Sequence, residues 1–271
     1  MSVVSPYGKL YIIVIPAKKS LGQHFLTNRS HLRAVADAAE LSAGETVVEI
    51  GPGKGSLTAE LLVRGAHVIA LEKDARLIPL LQEKFAPEIA AGQLEIVETD
   101  ALECEPSDYG LVASGYALVG NIPYYITGAL IEKFLTVAAQ PSMIVFLIQK
   151  EVAERIARSK KESILSLSVK VYGSPKYIKT VPAGAFSPAP KVDSAILAIT
   201  RISRGHFMNT EHEKKFFTLV KAGFAHKRKL LARNLEPVLG KQAEEKLVAA
   251  GIAPKARAED VPLEKWLLLA N

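Results

Sequence analysis

The chain has 271 residues, 49% of them hydrophobic, and sets 34 Lys and Arg against 28 Asp and Glu for a formal charge of +6. That length holds one full domain plus a smaller unit, since domains run to roughly 100–200 residues; a single cysteine, Cys104, excludes an internal disulfide framework or a thiolate-rich zinc cluster. The longest early apolar run, Leu10 to Ile15, falls far short of the ~20 residues of a spanning helix and precedes no small-residue cleavage site, so neither a membrane segment nor a signal peptide is expected, and a reducing, cytoplasmic setting is.

No acidic residue precedes Asp37, which leaves an organellar presequence open. Residues 1–16 match no pattern and stand as an N-terminal extension. Residues 30–40 place Leu32, Val35, Ala36 and Ala39 at helical spacing behind a cap at Asn28 or Ser30, predicting an opening helix. The periodicity then changes. Short apolar runs rich in β-branched residues at 46–50, 67–71, 94–98, 116–119 and 143–148 predict buried strands, with helical stretches between them at 56–64, 75–85 and 129–138. That alternation predicts an α/β fold with a mostly parallel, doubly wound sheet. Right-handed connections bring the loop-bearing strand ends to one edge, where ligands bind near the switch in strand order.

Beyond Gln149, residues 150–159 predict a helix and 176–181 and 193–200 strands, while 165–172 fits either type. After about Ser203 only helical patterns remain, at 211–224, 226–235, 241–250 and 263–269. A boundary near residue 202 follows, separating a Rossmann-like domain, 1–202, from a small all-helical one, 203–271.

The turn after the first predicted strand reads Glu49-Ile50-Gly51-Pro52-Gly53-Lys54-Gly55. Glycine at alternate positions permits a tight turn whose backbone approaches a ligand closely. By itself such a turn is a weak signal, but Glu72 ends the second strand, where a carboxylate accepts from ribose hydroxyls, and Asp100 follows the third, where one accepts from an adenine amine. Taken singly, either acid could equally cap the next helix. The G-x-G-x-G spacing behind Glu49 differs from the dehydrogenase G-x-G-x-x-G and is typical of methyltransferases using S-adenosylmethionine.

Asn121-Ile122-Pro123-Tyr124 offers an amide oxygen, a backbone carbonyl and an aromatic face. The exocyclic amine of adenine is a weak nucleophile because its lone pair is delocalised into the ring. Accepting its hydrogens at the Asn121 oxygen and the Ile122 carbonyl favours a more tetrahedral nitrogen, and Pro123 fixes the local backbone and removes a competing donor. Tyr124 provides a stacking surface worth ~1–3 kcal/mol. Such a reaction needs no metal, since positioning and electrostatics supply most of the acceleration, and the base must come from a loop or be flipped out. The plainer alternative is a turn with a buried aromatic.

These motifs together resemble the small-subunit ribosomal RNA adenine dimethyltransferases and, more distantly, the large-subunit RNA methyltransferases of macrolide resistance. The resemblance runs from about Lys18 to the C-terminus. It implies S-adenosylmethionine as cofactor and an N-terminal cofactor motif in Gly22-Gln23-His24-Phe25-Leu26, with Gln23, His24 and Leu26 near the methionine end. It implies cofactor contacts also from Glu49, Gly51, Gly53, Glu72, Asp100 and Asn121, and a catalytic motif in Asn121, Ile122, Pro123 and Tyr124. Phe186-Ser187-Pro188-Ala189-Pro190-Lys191-Val192-Asp193-Ser194 is similar to the family's F-x-P-x-P-K-V-D-S segment, whose phenylalanine faces the target base opposite the tyrosine. Two departures stand out: His24 replaces a frequent asparagine, and the tyrosine-glycine pair usual before Leu-Ser-Val is missing around Ser163.

Charge divides along the chain. Residues 1–140 hold 11 Lys and Arg against 16 Asp and Glu, net −5, and residues 141–271 hold 23 against 12, net +11. Such asymmetry fits a polyanion gripped mainly by the second half, with Lys227, Arg228, Lys229 and Arg233 on a predicted helix as candidate RNA-binding cations; a solvated helix face is the alternative. The resemblance implies methylation of two adjacent adenosines near the 3′ end of small-subunit ribosomal RNA, in a pre-ribosomal particle; a monomer without metal is expected. The competing readings are a large-subunit RNA methyltransferase and a ribosome-assembly or nucleic-acid-binding factor on the same fold.

Overall fold

The computed structural model describes residues 15–18 and 21–271 in full and residues 2–4 and 10–12 as backbone. Within the expected extension 1–16, β1 (Ser2–Val4) pairs antiparallel with β2 (Leu10–Ile12), and residues 1, 5–9, 13 and 14 lie outside the described residues. The apolar run from Leu10 to Ile15 therefore falls partly outside them as well.

After β3 (Phe25–Leu26), α1 (Arg29–Ala38) starts where Asn28 Oδ1 accepts from the amides of Ser30 and His31 at 3.0 and 3.3 Å, which settles the cap on Asn28. The strands β4 (Thr46–Ile50) and β6 (Leu94–Glu98) have the bounds their apolar runs predict. By contrast β5 (His67–Glu72), β7 (Tyr116–Asn121) and β8 (Met143–Gln149) each run one or two residues further. The added residues include Glu72, Asn121 and Gln149, polar groups that an apolar pattern cannot reach. Between the strands come α2 (Ser56–Val63), α3 (Ile78–Lys84), α4 (Ala86–Ala90) and α5 (Thr127–Thr136).

Seven strands form one sheet in the order β6-β5-β4-β7-β8-β11-β9, completed by β9 (Ser174–Val181) and β11 (Ser194–Thr200). β4 runs parallel to both β5 and β7, β5 to β6, and β7 to β8. Strand order thus reverses between β4 and β7. Register sets Ile50 beside Leu71 and Gly120, Glu72 beside Glu98, and Asn121 beside Leu147, so the polar strand ends share one edge at the switch point.

The run from Ile144 to Ile148 in β8 has no polar interruption because all five side chains are fully buried, as in a central parallel strand covered on both faces. Val145 and Leu147 join Leu32 and Val35 of α1 and Leu61 of α2 in one apolar cluster. Each such side chain contributes roughly 1.5–3 kcal/mol on burial, which anchors the strand ends that carry the polar groups.

The chain divides into two compact units, one comprising the chain up to Lys150 with Ile178–Ala198, the other Glu151–Tyr177 with Ile199–Asn271. The second holds α6 (Lys150–Ala157) from Glu151 onward and α7 (Ile164–Tyr172). Residues 165–172, which fit either type by periodicity, are helical because Ser163 and Ser166 form a reciprocal cap, Ser166 N donating to Ser163 Oγ at 3.1 Å and Ser163 N to Ser166 Oγ at 2.7 Å. Further on, α8 (Thr210–Gly223), α9 (Leu231–Leu239), α10 (Ala243–Ala249) and α11 (Leu263–Ala270) bury Phe216, Leu235, Leu247 and Trp266 completely.

Residues 226–230, expected in a helix, form turns, and α9 starts only at Leu231. The Asn234 side-chain amide donates to the carbonyls of Gly223 and His226 at 2.6 and 3.1 Å, bending the chain at the end of α8 instead of letting a helix resume. No helix among the described residues is long and apolar enough to cross a membrane.

Candidate active site

The shared strand edge opens into a cavity of about 830 Å3, counting the open space at its mouth. Gln23, His24 and Phe25 line it from the segment before α1, Gly51 and Gly53 from the glycine loop, Glu72 and Asp100 from the ends of β5 and β6, and Asn121 to Tyr124 from the end of β7. Phe186 lines it too. It belongs to β10 (Phe186–Ser187), which pairs antiparallel with β3, setting Phe186 opposite Leu26 and Ser187 opposite Phe25.

The glycine loop is tied to β5 through Gly53, whose amide donates to Glu72 Oε2 at 3.0 Å. Gly53 sits at φ +60°, and an added Cβ would stand 3.0 Å from the Phe25 ring, so both conformation and space disfavour a side chain. The other Glu72 oxygen accepts from the Asp74 amide at 2.8 Å. Burial raises the Glu72 carboxyl above its ordinary pKa, with the Asp74 and Gly53 amides opposing. Asp100 accepts from Lys73 Nζ at 2.5 Å and from the Leu102 amide at 3.0 Å. Burial disfavours its charge, but those two donors and the Lys73 charge outweigh it and hold the carboxyl below its ordinary pKa. A carboxylate has about four acceptor sites, so both acids retain capacity for a hydroxyl or amine.

Gln23 is fixed from two sides, accepting from the Lys18 amide at 2.7 Å and donating to Asp74 Oδ2 at 3.0 Å. Asp74 is clasped by Arg76, which with Gln23 pulls its carboxyl down to about 2 against the opposing effect of burial.

At the acceptor end, Asn121 Nδ2 donates to the His24 carbonyl at 2.7 Å. A backbone carbonyl only accepts, so the amide nitrogen must face it, and Oδ1 is directed elsewhere with no hydrogen bond among the described residues. The His24 ring makes the reciprocal tie, its Nδ1 lying 2.7 Å from the Pro188 carbonyl and therefore donating. Ile122 is buried, with its amide on the Leu147 carbonyl at 3.1 Å. Tyr124 is held through its hydroxyl by Ser194 Oγ at 2.8 Å and stacks at 6.2 Å on the His24 ring; burial raises its phenol pKa.

Two expected cofactor residues do not line this cavity. Glu49 is buried beneath the loop, where Thr58 Oγ1 of α2 donates to it at 2.6 Å, and Leu26 is part of the apolar cluster; both line a smaller adjoining cavity. Burial pushes the Glu49 carboxyl up to about 7, with Thr58 opposing and Glu72 adding to the rise. Lys227, Arg228, Lys229 and Arg233 are exposed in the second unit, the first three in the turn before α9 and Arg233 on α9 itself. Lys73 and Tyr125 also line the large cavity, although neither was singled out by sequence. Their signal was adjacency to Glu72 and Tyr124.

A parallel sheet with its polar pocket at the switch point, acids at the ends of β5 and β6 and an oriented amide oxygen at the end of β7, defines a nucleotide-cofactor enzyme acting on an amine. The chain matches the family described as ribosomal RNA adenine dimethylase over residues 15–271, and it belongs to that family. It is 41% identical over 257 residues to a Dehalococcoides mccartyi protein named ribosomal RNA small subunit methyltransferase A, covering 93% of this chain and 87% of the relative. Among solved structures it resembles the 23S rRNA methyltransferase ErmE, with a TM-score of 0.73 and 29% identity over 91% of this chain and 98% of that one. A dimethyladenosine transferase from Plasmodium falciparum is similar at a TM-score of 0.74 and 25% identity, covering 91% and 96% of the two chains.

Proposed function

We propose that this methyltransferase transfers methyl groups from S-adenosylmethionine to the N6 atoms of two adjacent adenosines near the 3′ end of small-subunit ribosomal RNA, within a maturing small subunit. The observation that carries the chemistry is the tie from Asn121 Nδ2 to the His24 carbonyl, which leaves Oδ1 as an acceptor. The match to a small-subunit methyltransferase over most of both chains supports the choice of RNA.

In this reading Gln23, His24, Gly51, Gly53, Glu72, Asp100 and Asn121 hold the cofactor, with Glu49 and Leu26 supporting the loop and β3 from beneath. The donor set fits: Glu72 suits ribose hydroxyls, Asp100 an adenine amine, and the glycine loop leaves backbone exposed to a ligand. When bound, the cofactor supplies an electrophilic methyl group on a sulfonium. Asn121 Oδ1 and the Ile122 carbonyl accept the hydrogens of the target amine, two before the first transfer and one before the second, drawing its lone pair out of conjugation; each transfer would leave a neutral thioether and release one N6 proton to solvent. Tyr124 and Phe186 provide apolar faces for the base and exclude water. Lys227, Arg228, Lys229 and Arg233 hold RNA phosphates, an affinity that is sensitive to salt and nearly blind to sequence. Residues 203–271 act as the RNA-facing helical domain, and the protein works as a cytoplasmic monomer without metal.

The test is incubation with unmodified small and large subunits and methyl-labelled cofactor, followed by nucleoside mapping. Dimethyladenosine at two neighbouring 3′-end positions of the small-subunit RNA is expected. Label confined to large-subunit RNA would instead support the resistance-type reading, and no label in either would remove the enzymatic one.

A further inference from the structure

Two adjacent acceptors pose a geometric question. While one base occupies the pocket between the Asn121 amide and the apolar rings, its neighbour in the strand must lie outside. The chain answers at the next residue. Tyr124 is turned inward and tied to Ser194, whereas Tyr125 is 64% exposed, the one exposed Phe, Tyr or Trp among the side chains described. Every other such ring is at least partly covered by the fold.

Tyr125 is not a stray surface residue, because it lines the mouth of the same cavity. It lies on the short turn Tyr124–Ile126 that Pro123 sets up, so its backbone is fixed by the acceptor motif itself. Position 22 backs the ring: a Cβ added at Gly22 would stand 3.3 Å from Tyr125 Cε1, and φ of +60° disfavours a side chain there in any case. Lys73, whose side chain is 57% exposed, lines the same cavity. The cation is already paired with Asp100, so it is the exposed aromatic face that is left to match a nucleobase.

We propose that Tyr125 is a stacking subsite for the nucleobase adjacent to the one being methylated, and so a specificity-determining residue for the dinucleotide. This rests on the function proposed above. The doublet Tyr124-Tyr125 presents one ring inward and one outward at a single point of the chain, as a strand with one base extruded presents its bases. The outer ring holds the neighbour in place while the inner pocket is filled.

The experiment compares wild type, Tyr125→Ala and Tyr125→Phe on unmodified small subunits carrying either the natural adenosine pair or uridine in place of the neighbouring adenosine. Initial rates are read with labelled cofactor, and cofactor affinity by calorimetry. Tyr125→Ala is expected to lower kcat/KM on the natural subunits roughly tenfold, and Tyr125→Phe by less than about threefold, with cofactor affinity kept in both. Uridine, a weaker stacker, should narrow the gap between wild type and Tyr125→Ala. Equal kcat/KM for the two proteins overturns the inference, as does a gap that uridine leaves unchanged, which would assign the ring to a ribosomal protein or another nucleotide. Lost cofactor affinity in Tyr125→Ala overturns it too, in favour of a cofactor role. Wild-type activity without a gap defeats this inference alone; absence of wild-type activity defeats the proposed function and this inference with it.

Discussion

At one end of the pocket the charged groups already have partners inside the chain: Glu72 accepts from the Gly53 and Asp74 amides, and Asp100 from Lys73 and the Leu102 amide. At the other end Asn121 spends its donor on the His24 carbonyl and keeps its acceptor open. A cofactor that must be gripped in one pose is served by acids whose positions are fixed before it arrives, because ordering them has no further entropic cost at binding. A weakly nucleophilic amine is served by an oxygen with no competing partner. On the proposed reading, affinity and activation fall to separate residues in one cavity, with Asn121 touching both ends.

The largest expected effect falls on the acceptor end. Asn121→Ala should lower kcat by roughly 10²–10³, the usual loss on removing one preorganised group that acts on the reacting atoms, with cofactor affinity within about threefold of wild type by calorimetry. Equal losses in both quantities would dissolve the division between the two ends.

Next comes the support beneath the cofactor end. Glu49 is raised from its ordinary 4.5 to about 7, so the folded state holds its proton more tightly than the unfolded chain does. The associated stability is present below pH 4.5 and is lost as pH rises through 7, about 3 kcal/mol at 1.36 kcal/mol per pH unit. Glu49→Gln keeps an acceptor for Thr58 and removes the ionisation. Denaturant unfolding between pH 4.5 and 8 should therefore show a flatter stability profile for the variant, and parallel profiles would contradict the buried, proton-holding environment.

Replacing Lys227, Arg228 and Lys229 together with alanine should reduce the slope of log affinity for RNA against log salt by about 2, as expected when three contacts to single-stranded phosphate are lost. Cofactor affinity should not move; a change there would mean that this basic turn serves the pocket rather than RNA. The smallest effect belongs to Tyr124→Phe, which removes the hydroxyl bound to Ser194 but keeps the ring, and should cost less than about fivefold in kcat. A larger loss would shift the role of Tyr124 from stacking to its hydroxyl.

The two ends also differ in how legible they were. Glu72 and Asp100 could be placed because each follows an apolar run, and Thr46–Ile50 and Leu94–Glu98 are strands with the bounds that β-branched periodicity gives. Glu49 was legible as part of the loop motif, but not that its side chain would be taken by Thr58 and kept out of the main cavity. The acceptor end depends on contacts that span the chain. His24 reaches the carbonyl of Pro188, and Phe25 and Leu26 pair with Ser187 and Phe186, a two-residue ribbon too short to have any period. The turn at 226–230 fits a helical pattern locally for a similar reason: the signal that ends α8 is the Asn234 amide, eight residues beyond one of its two acceptors, His226. Local pattern located the candidate residues, and tertiary hydrogen bonds decided which way they face.

The orientation of the Asn121 amide is best tested by a structure of the protein with the demethylated cofactor product and the target adenosine of the small subunit. Asn121 Nδ2 should remain on the His24 carbonyl while Oδ1 and the Ile122 carbonyl each lie about 3 Å from the adenine N6. An adenine amine facing other acceptors, or an Asn121 side chain released from His24 with its nitrogen toward the base, would contradict the account.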